Sequence, residues 1–177
     1  MKTYLTYGFI MTLAGALLGL GLFFGGFHSD PAKLKLAQNL GYLIGFVIGI
    51  ACLLLGMREK RAATPPEKSW GYGSAFGTGV MISLFSSLFS AIYNYAYFAY
   101  INPGFSELFV EFQIMEMEAK KFPTAHIDSA MPMLEMIARP GVMTAMGLFG
   151  GFLILLVLSL IVAAFVKNRP VTSPPTV

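Results

Sequence analysis

Four intervals of this sequence contain no Asp, Glu, Lys or Arg, and each is long enough to cross a bilayer: 5–27, 36–57, 74–101 and 141–166. A hydrocarbon core about 30 Å thick takes roughly 20 apolar residues of helix. In lipid every backbone N–H and C=O must be satisfied within its own segment, so each crossing is helical. The mean hydropathy of +0.69 over 177 residues lies well above that of a soluble domain. The chain therefore reads as an all-α integral membrane protein, a single domain of four transmembrane helices.

The first interval exceeds the h-region of a cleaved signal peptide, about 7 to 15 residues, and is expected to be a retained helix. Cys52 is the lone cysteine and lies mid-span. It has no partner for a disulfide within the chain, and the bland expectation for it is a small buried hydrophobe.

Basic residues near span ends bias those ends towards the cytoplasm. Lys2, Arg58, Lys60, Arg61, Lys68, Lys167 and Arg169 make seven on one side, against five on the other, Lys33, Lys35, Lys120, Lys121 and Arg139. Three of the five are diluted by the long third loop, 102–139, which also carries six of the nine acids. Both termini are thus expected on the cytoplasmic side. The formal charge of +3 follows from these flanking residues, so no nucleic acid is expected as a partner.

Aromatic residues gather near predicted span ends: Tyr4, Tyr7, Trp70 and Tyr72 at one depth, Tyr93, Tyr97, Phe98 and Tyr100 at the other. Amphipathic rings sit at headgroup depth because one end is apolar and the other wet, so these read as an interfacial collar. Asn102-Pro103-Gly104 should end the third span, with Asn102 capping a new helix. In that helix Phe105, Leu108, Phe109, Phe112 and Met115 share a face, with Glu107, Glu111 and Glu118 on another. Phe105, Phe109 and Phe112 are the candidate partner face, to be buried on lipid, on the spans or on a partner. After Pro123, Asp128 or Ser129 should cap a second short helix with Pro132 in its first turn. The third loop is expected to be an extracytoplasmic helical hairpin, and 168–177 a Pro-rich mobile tail.

Small residues recur at four-residue spacing inside every span: Gly15 and Gly19, then Gly21 and Gly25; Gly41, Gly45 and Gly49; Ala75, Gly79, Ser83, Ser87 and Ala91; Gly147 and Gly151. Such faces let helix backbones approach. Gly15, Gly19, Gly41, Gly45, Gly49, Gly79, Ser83, Ser87, Gly147 and Gly151 are the expected packing positions, within the chain or at a homo-oligomer seam.

No ionisable Asp, Glu, Lys, Arg or His lies inside a predicted span, which disfavours proton-coupled transport. There is no phosphate loop, nucleophile elbow or metalloprotease helix. His126 and Asp128 are two ligand types where a tetrahedral site needs more, and His28 and Asp30 read as solvated loop residues. No catalytic residue, metal or cofactor is expected. The intramembrane polar groups are neutral, and Ser90, Asn94 and Tyr95 on the third span form a candidate polar path.

The run SWGYGSAFGTGVMISLFSSLFSAIYNYAYFAYINPGF and the closing SLIVAAFVK, set in four spans, resemble the domain-of-unknown-function family numbered 4199, small proteins of the bacterial inner membrane. The resemblance covers nearly the whole chain and implies topology and that membrane, without an activity. Family members often carry an acidic residue after the proline, where this chain has Gly104. The favoured expectation is a packing, scaffold or accessory component that is not an enzyme, with the bilayer and a membrane-protein partner or second copy as its contacts. The rival is a transporter of a small solute or lipid along the third span. A membrane enzyme comes third and would require the loop acids to converge with His126.

Overall fold

A computed structural model describes residues 1–65 and 67–167; the expected tail at 168–177 lies outside the described residues. The described residues form helices α1 (Lys2–Phe24), α2 (Pro31–Ala62), α3 (Tyr72–Ala96), α4 (Phe105–Ala119), α5 (Thr124–Ile137) and α6 (Pro140–Val166). A π-helical turn, Tyr97–Ile101, extends α3. Lys2–Phe24, Pro31–Ala62, Tyr72–Ile101 and Pro140–Val166 are each long and apolar enough to cross a membrane. The chain thus has the make-up of a multi-pass membrane protein.

Local chemistry sets the boundaries. Asp30 caps α2 by accepting a hydrogen bond from the Ala32 N–H at 2.9 Å, with Pro31 at the first helical position. Pro140 opens α6 in the same way. Pro103 keeps Asn102 out of helical backbone, at φ −135° and ψ 70°, and the chain leaves α3 through a π-type bond from the Asn102 N–H to the Tyr97 carbonyl at 2.7 Å. Asn102 is not the cap of the next helix: Gly104 takes that position, and the Asn102 side chain turns inward. Helix α5 also starts earlier than expected, after Pro123, which leaves Asp128 and Ser129 inside it and Pro132 in its interior. Four residues beyond Pro123 already propagate, so the proline, not the Asp-Ser pair, supplies the start.

Helix α3 is central. It packs along α6 and α1, and less extensively against α2. Near the end where α1 starts and α6 finishes, Leu53, Met57, Ala75, Ile82, Ser83, Ser159, Ala163 and Val166 are buried almost completely. The closest approach lies at Gly79, where an added Cβ would sit 2.7 Å from the Ser159 Oγ. The Ser83 and Ser159 hydroxyls are 3.3 Å apart there. Gly8 approaches α3 with similar closeness, an added Cβ there lying 2.9 Å from Phe85 Cβ, and Gly56 faces Ile82 and Tyr7. At this end the Arg61 guanidinium donates to the Val166 carbonyl at 3.2 Å, a cation placed at the negative end of α6.

A second cluster closes the opposite end. Leu34, Tyr97, Phe105, Leu108 and Phe112 are buried together, with Phe109 half-buried beside them. The Lys35 ammonium bonds Glu116 at 2.7 Å, tying α2 to α4 and holding the Glu116 carboxyl below its usual range. The phenylalanine face of α4 is therefore spent inside the chain. Phe105, Phe109 and Phe112 are not presented to a partner, because aromatic area that reaches the ends of the long helices is buried there first.

The two clusters predict unequal tolerance. Gly79→Ala should lower the thermal stability of the purified protein by about 1–3 kcal/mol, since the new methyl meets Ser159 where the core has no room. Gly41→Ala, with nothing within 4 Å of the added atom, should leave the midpoint in place. A thermal-unfolding comparison in one detergent checks the order; equal midpoints would refute the tight seam.

Candidate functional site

Between the two clusters α2 stands away from its neighbours. Leu34 and Ala37 are buried at one end and Gly49, Cys52, Leu53, Gly56 and Met57 at the other, while every residue from Tyr42 to Val47 is exposed. The space behind this stretch is a cavity of about 470 Å³. Gly15 on α1, Gly41 and Gly45 on α2 and Gly151 on α6 face it and have nothing within 4 Å of where a Cβ would be. These four were expected as packing positions, and within the chain they meet no neighbouring helix: the glycines open space instead of closing it. Gly19 and Gly147 make only loose contacts, with the Tyr93 hydroxyl at 3.6 Å and the Asn94 amide at 3.7 Å. Gly49 meets Leu155 and Leu158 at ordinary van der Waals distance.

The polar wall of the cavity belongs to α1 and α3. Thr12 is the hub. Its hydroxyl lies 3.1 Å from the Gly8 carbonyl, 3.0 Å from the Ser86 carbonyl and 3.2 Å from the Ser90 hydroxyl. With one proton to give, Thr12 donates to one carbonyl and accepts from Ser90. Tyr93 donates to the Ala16 carbonyl at 3.2 Å. The Asn94 side chain lines the cavity and has no hydrogen-bond partner among the described residues. Ser90 and Asn94 share this face because they are one helical turn apart. Tyr95 does not: one residue further on, it is rotated away and is 48% exposed. The path expected from Ser90, Asn94 and Tyr95 thus retains its first two members and gains Ser86, another of the neutral polar groups of the third span, and Thr12, a single hydroxyl between apolar neighbours on the first.

A smaller hollow of about 190 Å³ adjoins the cavity, sharing Gly15, Tyr93 and Asn94 as walls and adding His28, Tyr97 and Phe105. His28 is not a solvated loop residue. Its Nδ1 lies 2.5 Å from the Tyr97 hydroxyl, and its ring meets Phe105 edge-on with centroids 5.4 Å apart. Asn102 donates to the same Tyr97 oxygen at 3.3 Å. The Tyr97 hydroxyl thus takes part in two hydrogen bonds, one accepted from Asn102 and one shared with His28 Nδ1, whose direction follows the histidine tautomer. Tyr97, read as part of an interfacial collar, is 4% exposed; Tyr100, 77% exposed, does face outwards.

Towards α1's start the cavity stops at the Gly79 seam. Ser83 and Ser159 return their protons to the Gly79 and Leu155 carbonyls at 2.8 and 2.7 Å. Ser87 is buried with its hydroxyl unpartnered among the described residues. Among these residues no group of three or more His, Cys, Asp and Glu comes together, and His126 is stacked on Phe122.

A family model described as Protein of unknown function (DUF4199) matches residues 6–168. No curated protein and no solved structure matches the chain.

Burial lowers the proton affinity of His28 below its ordinary pKa of 6.5. Below that pH the unfolded chain binds a proton that the folded one resists, so stability is full above about pH 6.5 and falls as the pH drops. The thermal midpoint of the solubilised protein should therefore decline between about pH 7.5 and pH 5.5, and His28→Phe should flatten that decline. Identical slopes for the two proteins would show that His28 is solvated after all.

Proposed function

This chain belongs to the DUF4199 family, and we propose that it acts there as a non-enzymatic membrane component which holds an amphiphilic, lipid-like molecule between its long helices. The observation that carries the reading is the cavity behind Tyr42–Val47. Its volume of about 470 Å³ falls in the range of small-molecule sites, about 300–1,000 Å³. Its wall is mostly apolar, with hydroxyls and one unpaired amide grouped on α1 and α3, a division that matches a molecule with an apolar body and one polar group. With the four long helices placed across a bilayer, the exposed α2 stretch faces lipid, and an amphiphile enters sideways from the membrane.

This narrows the transporter expected from the neutral polar face. The Gly79, Ser83 and Ser159 contact fills the space between α3 and α6, so holding or handing over a lipid fits better than passing a solute through. The basic run Arg58, Lys60 and Arg61 lies in the same end of the chain as Lys2 and Lys167, and we place that end at the cytoplasmic face of a bacterial inner membrane, with α4 and α5 on the other side.

A second reading, an accessory or scaffold protein, draws on a groove of about 550 Å³ between α4 and α5. Val110, Ile114 and Met131 form its apolar part, and Glu107, Glu111 and Glu135 its rim. It offers a membrane-protein partner or a second copy a place to sit.

Native mass spectrometry of the protein in a mild detergent tests the first reading. Wild type should retain a lipid adduct, and Gly45→Leu, whose new Cβ meets nothing within 4 Å and whose side chain takes up cavity space, should reduce its occupancy about tenfold, equivalent to 1.4 kcal/mol of binding. An adduct that is absent, or equally abundant in the variant, would reject the cavity as a binding site.

A further inference from the structure

Charge on the cavity wall decides what polar group it can accept. None of the residues lining the larger cavity is ionisable except Tyr42 and Tyr93, and the smaller hollow adds only His28, Tyr97 and no carboxylate or permanent cation. An ionised headgroup drawn into this space would lose its water without gaining a counter-charge, and such burial is strongly unfavourable. A neutral oxygen has partners instead. Asn94 presents an unpaired amide at the junction of the two hollows, able both to donate and to accept. His28 Nε2 has no hydrogen-bond partner among the described residues, while Nδ1 is held by Tyr97. Ser90 continues the same face one turn along α3, and the Thr12 hydroxyl of α1 lies 3.2 Å from it.

Resting on the amphiphile reading, we infer that the ligand is an uncharged lipid bearing a hydroxyl or carbonyl oxygen, with that oxygen at Asn94 and the apolar body lying along Gly41, Gly45 and Gly151 beneath α2. The site selects against ionic headgroups by omission. A phosphate or a carboxylate finds no Arg or Lys to pair with, and a quaternary ammonium finds no acid. A long-chain alcohol or an ester carbonyl can replace every hydrogen bond it loses. The Asn94 side chain makes no hydrogen bond among the described residues, so its role here is recognition and not support of the fold.

Photolabelling of the full-length purified protein separates this inference from the reading beneath it. Three long-chain probes carrying the same diazirine in the chain are compared at about pH 8: a fatty alcohol, the corresponding fatty acid, which is ionised there, and the corresponding trimethylammonium. The alcohol should label peptides of α2 and α6 at least about tenfold more than either ion, and Asn94→Leu should erase most of that preference while the protein stays folded. Should Asn94→Leu fail to fold, Asn94→Ala supplies the same comparison. Equal labelling by alcohol and ions, suppressed for all three by Gly45→Leu, would overturn neutral-headgroup selection and leave the cavity as a lipid site. Labelling that Gly45→Leu does not change, or none at all in these helices, would overturn both.

Discussion

Helices immersed in lipid gain little by burying apolar side chains against each other, because the lipid is equally apolar; they associate where backbones come close enough for dispersion and short polar contacts. In this chain that approach is concentrated at three glycines. Gly79 meets Ser159, Gly8 meets Phe85 and Ser86, and Gly56 meets Ile82 and Tyr7. All three lie in the half that contains the starts of α1 and α3 and the finishes of α2 and α6. Everything else in the structure is arranged around that fixed half. The serines next to the seam return their protons to carbonyls of their own helices, so the polar atoms at the contact are satisfied without water.

The opposite half is held by different means. Aromatic rings from α3, the π-turn and α4 pack on His28, Leu34 and one another, and Lys35 reaches Glu116 from α2. Two anchors at the ends of α2 with no close approach between them leave its centre standing off. A gap in that position is a consequence of the anchoring, since α2 cannot move inward at Gly41 and Gly45 without surrendering either the Leu53 and Met57 core or the Leu34 contact. The π-turn contributes as well: its extra residue rotates Asn102 onto the Tyr97 hydroxyl, which in turn fixes the histidine that bounds the smaller hollow.

Charge-free length made the four long helices legible in the sequence, with α2 running past its charge-free interval at both ends, while apolar spacing and prolines made the two short helices between α3 and α6 legible, the second with its start placed too late. The glycine pattern was legible only as a pattern. Four-residue spacing says that a face is small, and a small face either admits a neighbouring backbone or leaves room; which of the two depends on whether the facing helix is anchored nearby. Gly79 has Ser159 and Met57 across from it, whereas Gly45 looks into empty space, and their local sequences do not differ in a way that reveals this. The same holds for aromatics. Tyr97 and Tyr100 are equally amphipathic and near the same predicted depth, but one turn of π-helix and the arrival of Phe105 bury the first and leave the second outside. Residues such as Gly8, Thr12 and His28 gained importance only from partners more than sixty positions away.

The absence of ionisable groups from the spans, which in the sequence argued only against proton coupling, takes on a second meaning once a cavity is present. A wholly packed protein of this kind needs no charge because it has nothing to bind. On the reading proposed above, an open space between helices that still carries no charge is a site defined by neutrality, where hydroxyls and an amide provide orientation and the surrounding low dielectric excludes ions. Asn94 is the residue on which this turns. An amide inside a span is costly to leave unpaired, and each of its nearest polar neighbours already has a partner: Tyr93 bonds Ala16, and Ser90 bonds Thr12. The remaining way to satisfy it is a group from outside the chain that fits between α2 and α3, and the geometry of the gap, closed at both ends and open behind Tyr42 to Val47, admits such a group from the side.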